Sequence, residues 1–177
     1  STRKESSAAS DVYKRQPFTL GVASGDPWPD GAVIWTRLAV DPLALDGFGG
    51  MPDRSFPVEY QVARDERFTR VVRSGTVATD RSRGYAVHVT LTGLQPGREY
   101  FYRFRALGHL SRTGRTVTAP AFGSSPEHLS LTVASCANWE HGYFTAYGHM
   151  AAERPDLMVH LGDYYYEIMP YGYPVSS

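Results

Sequence analysis

The stretch LTGLQPGREYFYRFRA, residues 91–106, decides the fold of most of this 177-residue chain. Leu94, Pro96, Gly97 and Tyr100 have the spacing of a tyrosine corner, in which a phenol near the start of a strand bonds back to the backbone of the preceding turn. The strand this predicts is YFYRFRA (100–106). Outward from it, short β-rich runs recur between turn residues: FTLGVA (18–23), AVIWTRL (32–38), VEYQVA (58–63), TRVVRSG (69–75), YAVHVTL (85–91) and RTVTAP (115–120). Val58, Tyr60 and Val62 fall on one face of their run, and Val87, Val89 and Leu91 share a face with the phenol of Tyr85, the period of two expected of half-buried strands. GDPWPDG (25–31) reads as a turn, and DGFGGMPD (46–53) as a longer flexible excursion.

Runs of this kind predict an all-β sandwich over residues 17–120. With Trp35 on the second strand, the segment looks like an immunoglobulin or fibronectin III-like module, whose normal size is about a hundred residues. The fold alone leaves function open, because such modules serve as spacers, binding domains or enzyme appendages.

PAFGSSPEH (120–128) is rich in Pro, Ser and Gly, and predicts a linker over 121–128. Beyond it the period changes. LSLTVAS (129–135) is a nearly continuous apolar run ending at Cys136. In HGYFTAYGHMAAERPD (141–156), Phe144, Tyr147, Met150 and Ala151 have helical spacing, and LMVHLGD (157–163) is apolar again. Strand, helix and strand predict a right-handed βαβ unit with parallel strands, the helix stopped at Pro155. Residues 129–177 therefore read as the start of an α/β domain. Two strands and one helix cannot cover both faces of a parallel sheet, so the expectation is a fragment of a larger protein.

Composition narrows the function classes. With 18 Lys+Arg against 18 Asp+Glu, the chain has no general attraction to nucleic acid or anionic lipid. No apolar run approaches the ~18 residues that cross a bilayer. The single cysteine, Cys136, has no partner for an internal disulfide. Both lysines, Lys4 and Lys14, lie within STRKESSAASDVYKRQ (1–16), which lacks an apolar period and resembles translated library-adaptor sequence; residues 1–16 are expected to be a non-native or disordered tail.

Ligand sites in parallel sheets form beyond the carboxyl ends of the strands, where Cys136 and Asp163 both stand. Adjacent strands lie ~4.8 Å apart, and metal–sulfur and metal–oxygen bonds are about 2.3 and 2.0–2.2 Å, so the spacing permits one ion between the two side chains. Tyr166, three residues after Asp163, can return to the same ion after a turn. Thiolate, carboxylate and phenolate are all anionic, a set that favours a trivalent ion such as Fe³⁺ by charge matching.

PFTLGVASGDPWPDGAVIWTRL (17–38), YFYRFRALGHLSRTGRTVTAP (100–120), ASCANWEHGYFTAY (134–147) and RPDLMVHLGDYYYE (154–167) resemble, in order, the PhoD-type alkaline phosphatases. That family has an immunoglobulin-like domain followed by a calcineurin-like metallophosphoesterase domain. The resemblance implies Fe³⁺ and Ca²⁺ as cofactors, with Cys136 as the iron-binding cysteine, Asp163 as the carboxylate bridging iron to calcium, and Tyr166 as the iron-bound phenolate. Tyr165 stands where the family usually has Ile, a change expected to be harmless. The implied reaction is hydrolysis of a phosphate mono- or diester by a metal-bound oxide or hydroxide, with no protein nucleophile. The family's other site residues come later in sequence, so this polypeptide alone is expected to be inactive. The resemblance also implies export to the periplasm or outside by the twin-arginine route, although no such signal stands in this chain.

Blander readings compete at several positions. Cys136 can be a buried thiol, Asp163 a turn cap, and Tyr166 a packing residue. Asn138 is a candidate to orient the ligands, and equally a capping residue; Glu167 reads equally as an acceptor beside the ligands or a solvated charge. His160, on a strand expected to be buried on both faces, reads as a hydrogen-bonded core imidazole. The run RDERFTRVVR (64–73) would attract phosphate if its arginines clustered, and otherwise forms a solvated face. The alternative to the enzyme is a noncatalytic surface or ligand-binding module whose function resides in the sandwich. A nucleotide-binding βαβ unit is set aside, because no glycine-rich phosphate loop joins the first strand to the helix.

Overall fold

The computed structural model describes residues 14–138 and 143–166. The chain divides into two compact units, residues 1–124 and 125–177.

In the first unit, β1 (Val22–Trp28), β2 (Gly31–Arg37) and β5 (Ala86–Leu91) form one antiparallel sheet in the order β1-β2-β5. The second sheet runs β4 (Val71–Thr79), β3 (Phe56–Ala63), β6 (Glu99–Ala106), with β7 (His109–Leu110) and β8 (Gly114–Val117) both pairing with β6. Each strand turns alternate residues inward. Ile34 from β2 and Val87, Val89 and Leu91 from β5 join Phe56, Val58 and Val62 from β3 and Tyr100, Tyr102 and Phe104 from β6 in one core. Each such side chain, fully buried, contributes roughly 1.5–3 kcal/mol. Three buried hydroxyls of this unit are hydrogen-bonded: Thr36 donates to Gly21 O at 2.9 Å, Thr79 to Ala86 O at 2.7 Å and Thr118 to Gln95 O at 2.7 Å.

The tyrosine corner is present. Tyr100 is buried, and its hydroxyl accepts the N–H of Gln95 at 2.9 Å. Thr118 clamps the same turn, accepting Arg98 N–H at 3.0 Å through the hydroxyl that donates to Gln95 O.

Two expectations are corrected, for the first strand and for the loop 46–53, and the side chain of Trp35 is newly placed. The first strand begins at Val22 and runs through the predicted turn to Trp28, because a bulge at Asp26 (φ 50°) and Pro27 accommodates the proline without ending the pairing. Before it, Phe18 makes only an isolated bridge with Ala39. Trp35 faces away from the core: Ile34 and Thr36 are the buried neighbours, and Trp35 is half-buried opposite His88 on the outer face. Finally, the loop 46–53 is packed rather than loose. Phe48 meets the Tyr85 ring edge-on at 6.3 Å, Met51 is buried, and the Tyr85 hydroxyl donates to Pro52 O at 3.0 Å. Gly49 (φ 67°) permits this, since a Cβ there would lie 2.5 Å from Ala39 Cβ.

Of residues 1–16, positions 1–13 lie outside the described residues. Gln16 bonds to the sandwich, donating to Leu110 O and accepting Phe18 N–H, both at 3.0 Å.

The second unit has β9 (Leu131–Ala134), α1 (Thr145–Glu153) and β10 (Leu157–His160), with β9 and β10 parallel from Leu131↔Leu157 to Ala134↔His160. The helix ends at Arg154 (φ 50°), whose N–H bonds Ala151 O, because the residue before Pro155 is barred from helical geometry. Its apolar strands are open: Leu131, Val133, Leu157 and Met158 are exposed.

Candidate metal centre

The parallel ladder continues past both strand ends. Leu161 N–H bonds Ala134 O at 2.8 Å, Cys136 N–H bonds Gly162 O at 3.1 Å, and Ala137 N–H bonds Asp163 O at 2.8 Å. Along this extension Cys136 (φ 57°) and Asp163 (φ 51°) both adopt left-handed backbone, which costs of order 1 kcal/mol or more for a residue with a Cβ. Gly162 between the strand and Asp163 has φ 123°, a conformation suited to glycine.

The result is a convergence on one atom. The Cys136 thiol donates to Asp163 Oδ2 at 3.6 Å, and the Tyr166 hydroxyl donates to the same oxygen at 3.0 Å. The thiol beside it, then desolvation and the Asp163 carboxylate, hold the Tyr166 phenol well above its usual range. Three groups that become anionic on losing a proton are thus packed together without a balancing cation among them. All three side chains are exposed, so the cluster faces an approachable surface. Among the described residues no three His, Cys, Asp or Glu groups form a metal cluster; the set reaches three donors only by counting the phenol. In its mixture of sulfur and anionic oxygen donors it fits a trivalent iron better than an alkaline-earth ion.

An open cleft of about 500 Å³ borders the thiol, lined by Cys136, Ala137, Asn138, Phe144, Tyr147 and Met150 among others. Asn138 is half-buried there. Glu167 lies outside the described residues, as do Trp139, Glu140 and His141. Tyr165 is 65% exposed. His160 is a hydrogen-bonded imidazole: Nδ1 accepts Gly162 N–H at 3.3 Å, which leaves the proton on Nε2 to bond the Tyr147 hydroxyl at 3.1 Å. That Tyr147 partner was hidden in the sequence, where the residue reads only as part of an apolar helical stripe. The contact depends on how the helix crosses the strand.

The comparisons with known proteins follow the same division. Residues 4–120 match the PhoD-like phosphatase, N-terminal domain, and residues 131–176 match the PhoD-like phosphatase domain. Alkaline phosphatase D of Bacillus subtilis (strain 168) is 49% identical over 165 residues, covering 93% of this chain and 28% of that protein. The solved structure of PhoD superposes with a TM-score of 0.84 at 51% identity, covering 88% of this chain and 29% of the other. The chain thus spans under a third of the length of the relatives it matches. On a domain match that takes in most of its residues, the chain belongs to the PhoD-like phosphatase family.

Proposed function

We propose that this chain supplies the sandwich and the opening of the catalytic unit of a phosphate-ester hydrolase of the alkaline phosphatase D type. The observation that carries the reading is the meeting of Cys136, Asp163 and Tyr166 at one carboxylate oxygen, in a chain 49% identical to an alkaline phosphatase D. Cys136, Asp163 and Tyr166 would hold Fe³⁺. Asp163, whose Oδ2 faces the thiol and phenol, would also help hold a second ion, Ca²⁺. When bound, the two ions supply Lewis-acid stabilisation to the phosphate oxygens of a mono- or diester. The protein's part is to position. The ladder bonds from Gly162 and Asp163 fix the two loops against each other, and His160 braces the Gly162 amide just before the carboxylate.

In this reading the isolated chain is inactive, since three ligands from one side of an ion do not complete two metal sites. The resemblance to the family supports action outside the cytoplasm after export by the twin-arginine route. No helix among the described residues is long and apolar enough to cross a membrane. A chimera tests the function directly: this chain replaces the aligned segment of the Bacillus subtilis relative, and hydrolysis of p-nitrophenyl phosphate and bis(p-nitrophenyl) phosphate is measured. The chimera is expected to hydrolyse an ester, and Asp163→Asn or Cys136→Ala to lower the rate by at least ~100-fold. A folded, active chimera indifferent to both substitutions would overturn the proposal.

A further inference from the structure

The arginine-rich run after β3 does cluster. Arg64 follows β3, Arg70 precedes β4 and Arg98 precedes β6, so three adjacent strands of one sheet bring their arginines to the same end. Together with Gln95, Glu99 and Tyr100 they line a pocket of about 230 Å³. Each backbone is fixed: Arg64 N–H bonds Arg70 O at 3.0 Å, while Arg98 N–H bonds the Thr118 hydroxyl and its carbonyl accepts Thr118 N–H, both at 3.0 Å.

Two of the nearby acids are occupied. Asp65 accepts the N–H groups of Thr69 at 3.0 Å and Arg70 at 2.8 Å, closing the β3–β4 turn, and its charge offsets part of that of Arg70. Glu99 is paired with Arg115. Among the described residues the guanidinium groups of Arg64 and Arg98 meet no carboxylate or carbonyl acceptor. A chain with equal numbers of acidic and basic residues therefore concentrates uncompensated positive charge in one small concavity. Guanidinium forks match the tetrahedral oxygens of phosphate, and a pocket below the usual ~300–1,000 Å³ of organic-ligand sites suits a compact anion.

We propose that this pocket binds a phosphoryl anion, either inorganic phosphate or the phosphate group of an ester. It consists wholly of sandwich residues and stands independently of the metal centre.

The test is titration of the ¹⁵N-labelled 177-residue chain with inorganic phosphate and, separately, glycerol 3-phosphate, followed by amide and arginine Nε–H shifts at low salt. Saturable shifts at Arg64, Arg70, Gln95 and Arg98 are expected. They should weaken with added NaCl and by about tenfold in the Arg64→Gln/Arg98→Gln double variant, the order of one charge-assisted pair. An unchanged spectrum elsewhere verifies that the variant is folded. Tighter binding of the ester assigns the pocket to substrate, and tighter binding of inorganic phosphate assigns it to product. Cys136→Ala is expected to bind as the unaltered chain does, which separates this site from the metal reading. Absence of saturable shifts with either probe, or equal affinity in the double variant, overturns the proposal.

Discussion

The sulfur of Cys136 lies 3.6 Å from Oδ2 of Asp163, 27 residues further along the chain. Two parallel strands, each followed within three residues by a left-handed Cys136 or Asp163, make the contact: the ladder sets the distance, and the positive φ angles turn both side chains to a common point. Because the same oxygen also receives the Tyr166 phenol, the cluster is a preorganised set of acidic donors.

The tyrosine corner is expected to hold the second sheet to its turn. Tyr100→Phe removes the acceptor of the Gln95 N–H and should cost about 1–2 kcal/mol. Denaturant unfolding should record a lower midpoint with the same m-value; an unchanged midpoint would show the bond to be dispensable.

Gly114 is required by close approach. A Cβ there would sit 2.3 Å from Cζ of the buried Tyr102 ring, so Gly114→Ala should destabilise by about 1–3 kcal/mol through overpacking. Combined with Tyr102→Leu, the loss should fall short of the sum of the two single losses. Strict additivity would mean that the ring is not what the methyl meets.

Stability should decline above pH 10. Burial pushes the Tyr102 phenol up from 10.0 to about 12, so the unfolded chain releases this proton first, while the folded chain keeps it. Between those values the unfolded state binds fewer protons, and unfolding free energy falls as pH rises. Tyr85, raised chiefly by burial and then by the Asp53 charge, acts in the same direction. Unfolding measured at pH 9, 10 and 11 should therefore slope downward, less steeply in Tyr102→Phe. Identical slopes would remove Tyr102 from the account.

The purified chain is expected to hydrolyse neither p-nitrophenyl phosphate nor its diester when supplied with Fe³⁺ and Ca²⁺. A rate that disappears in Asp163→Asn would show that residues 1–177 already hold a working centre.

Much of this architecture was legible in the sequence because local chemistry determines it. Tyr100 and its turn announced themselves by spacing and with them β6, the period of two marked β3 and β5, and Cys136 and Asp163 ended apolar runs that had to be strands. What stayed hidden depends on tertiary context. Pro27 sits inside β1 because a bulge absorbs it, Trp35 faces outward because Ile34 takes the core position, and loop 46–53 is pinned by an aromatic contact with Tyr85. The arginines after β3 could be read as a solvated face or a patch, and only the adjacency of β4, β3 and β6 brings Arg98 to join them.

The most direct test of the central claim is optical. The chain is titrated with Fe³⁺ supplied as a weak chelate, and the visible spectrum is recorded for the unaltered protein, Tyr166→Phe and Cys136→Ser. Phenolate and thiolate bound to ferric iron both absorb visible light, so a band saturating near one equivalent is expected, shifted in Tyr166→Phe, which keeps only the thiolate, and shifted differently in Cys136→Ser, which keeps the phenolate. A spectrum with no saturating band, or one indifferent to both substitutions, would contradict the assignment of Cys136, Asp163 and Tyr166 to iron.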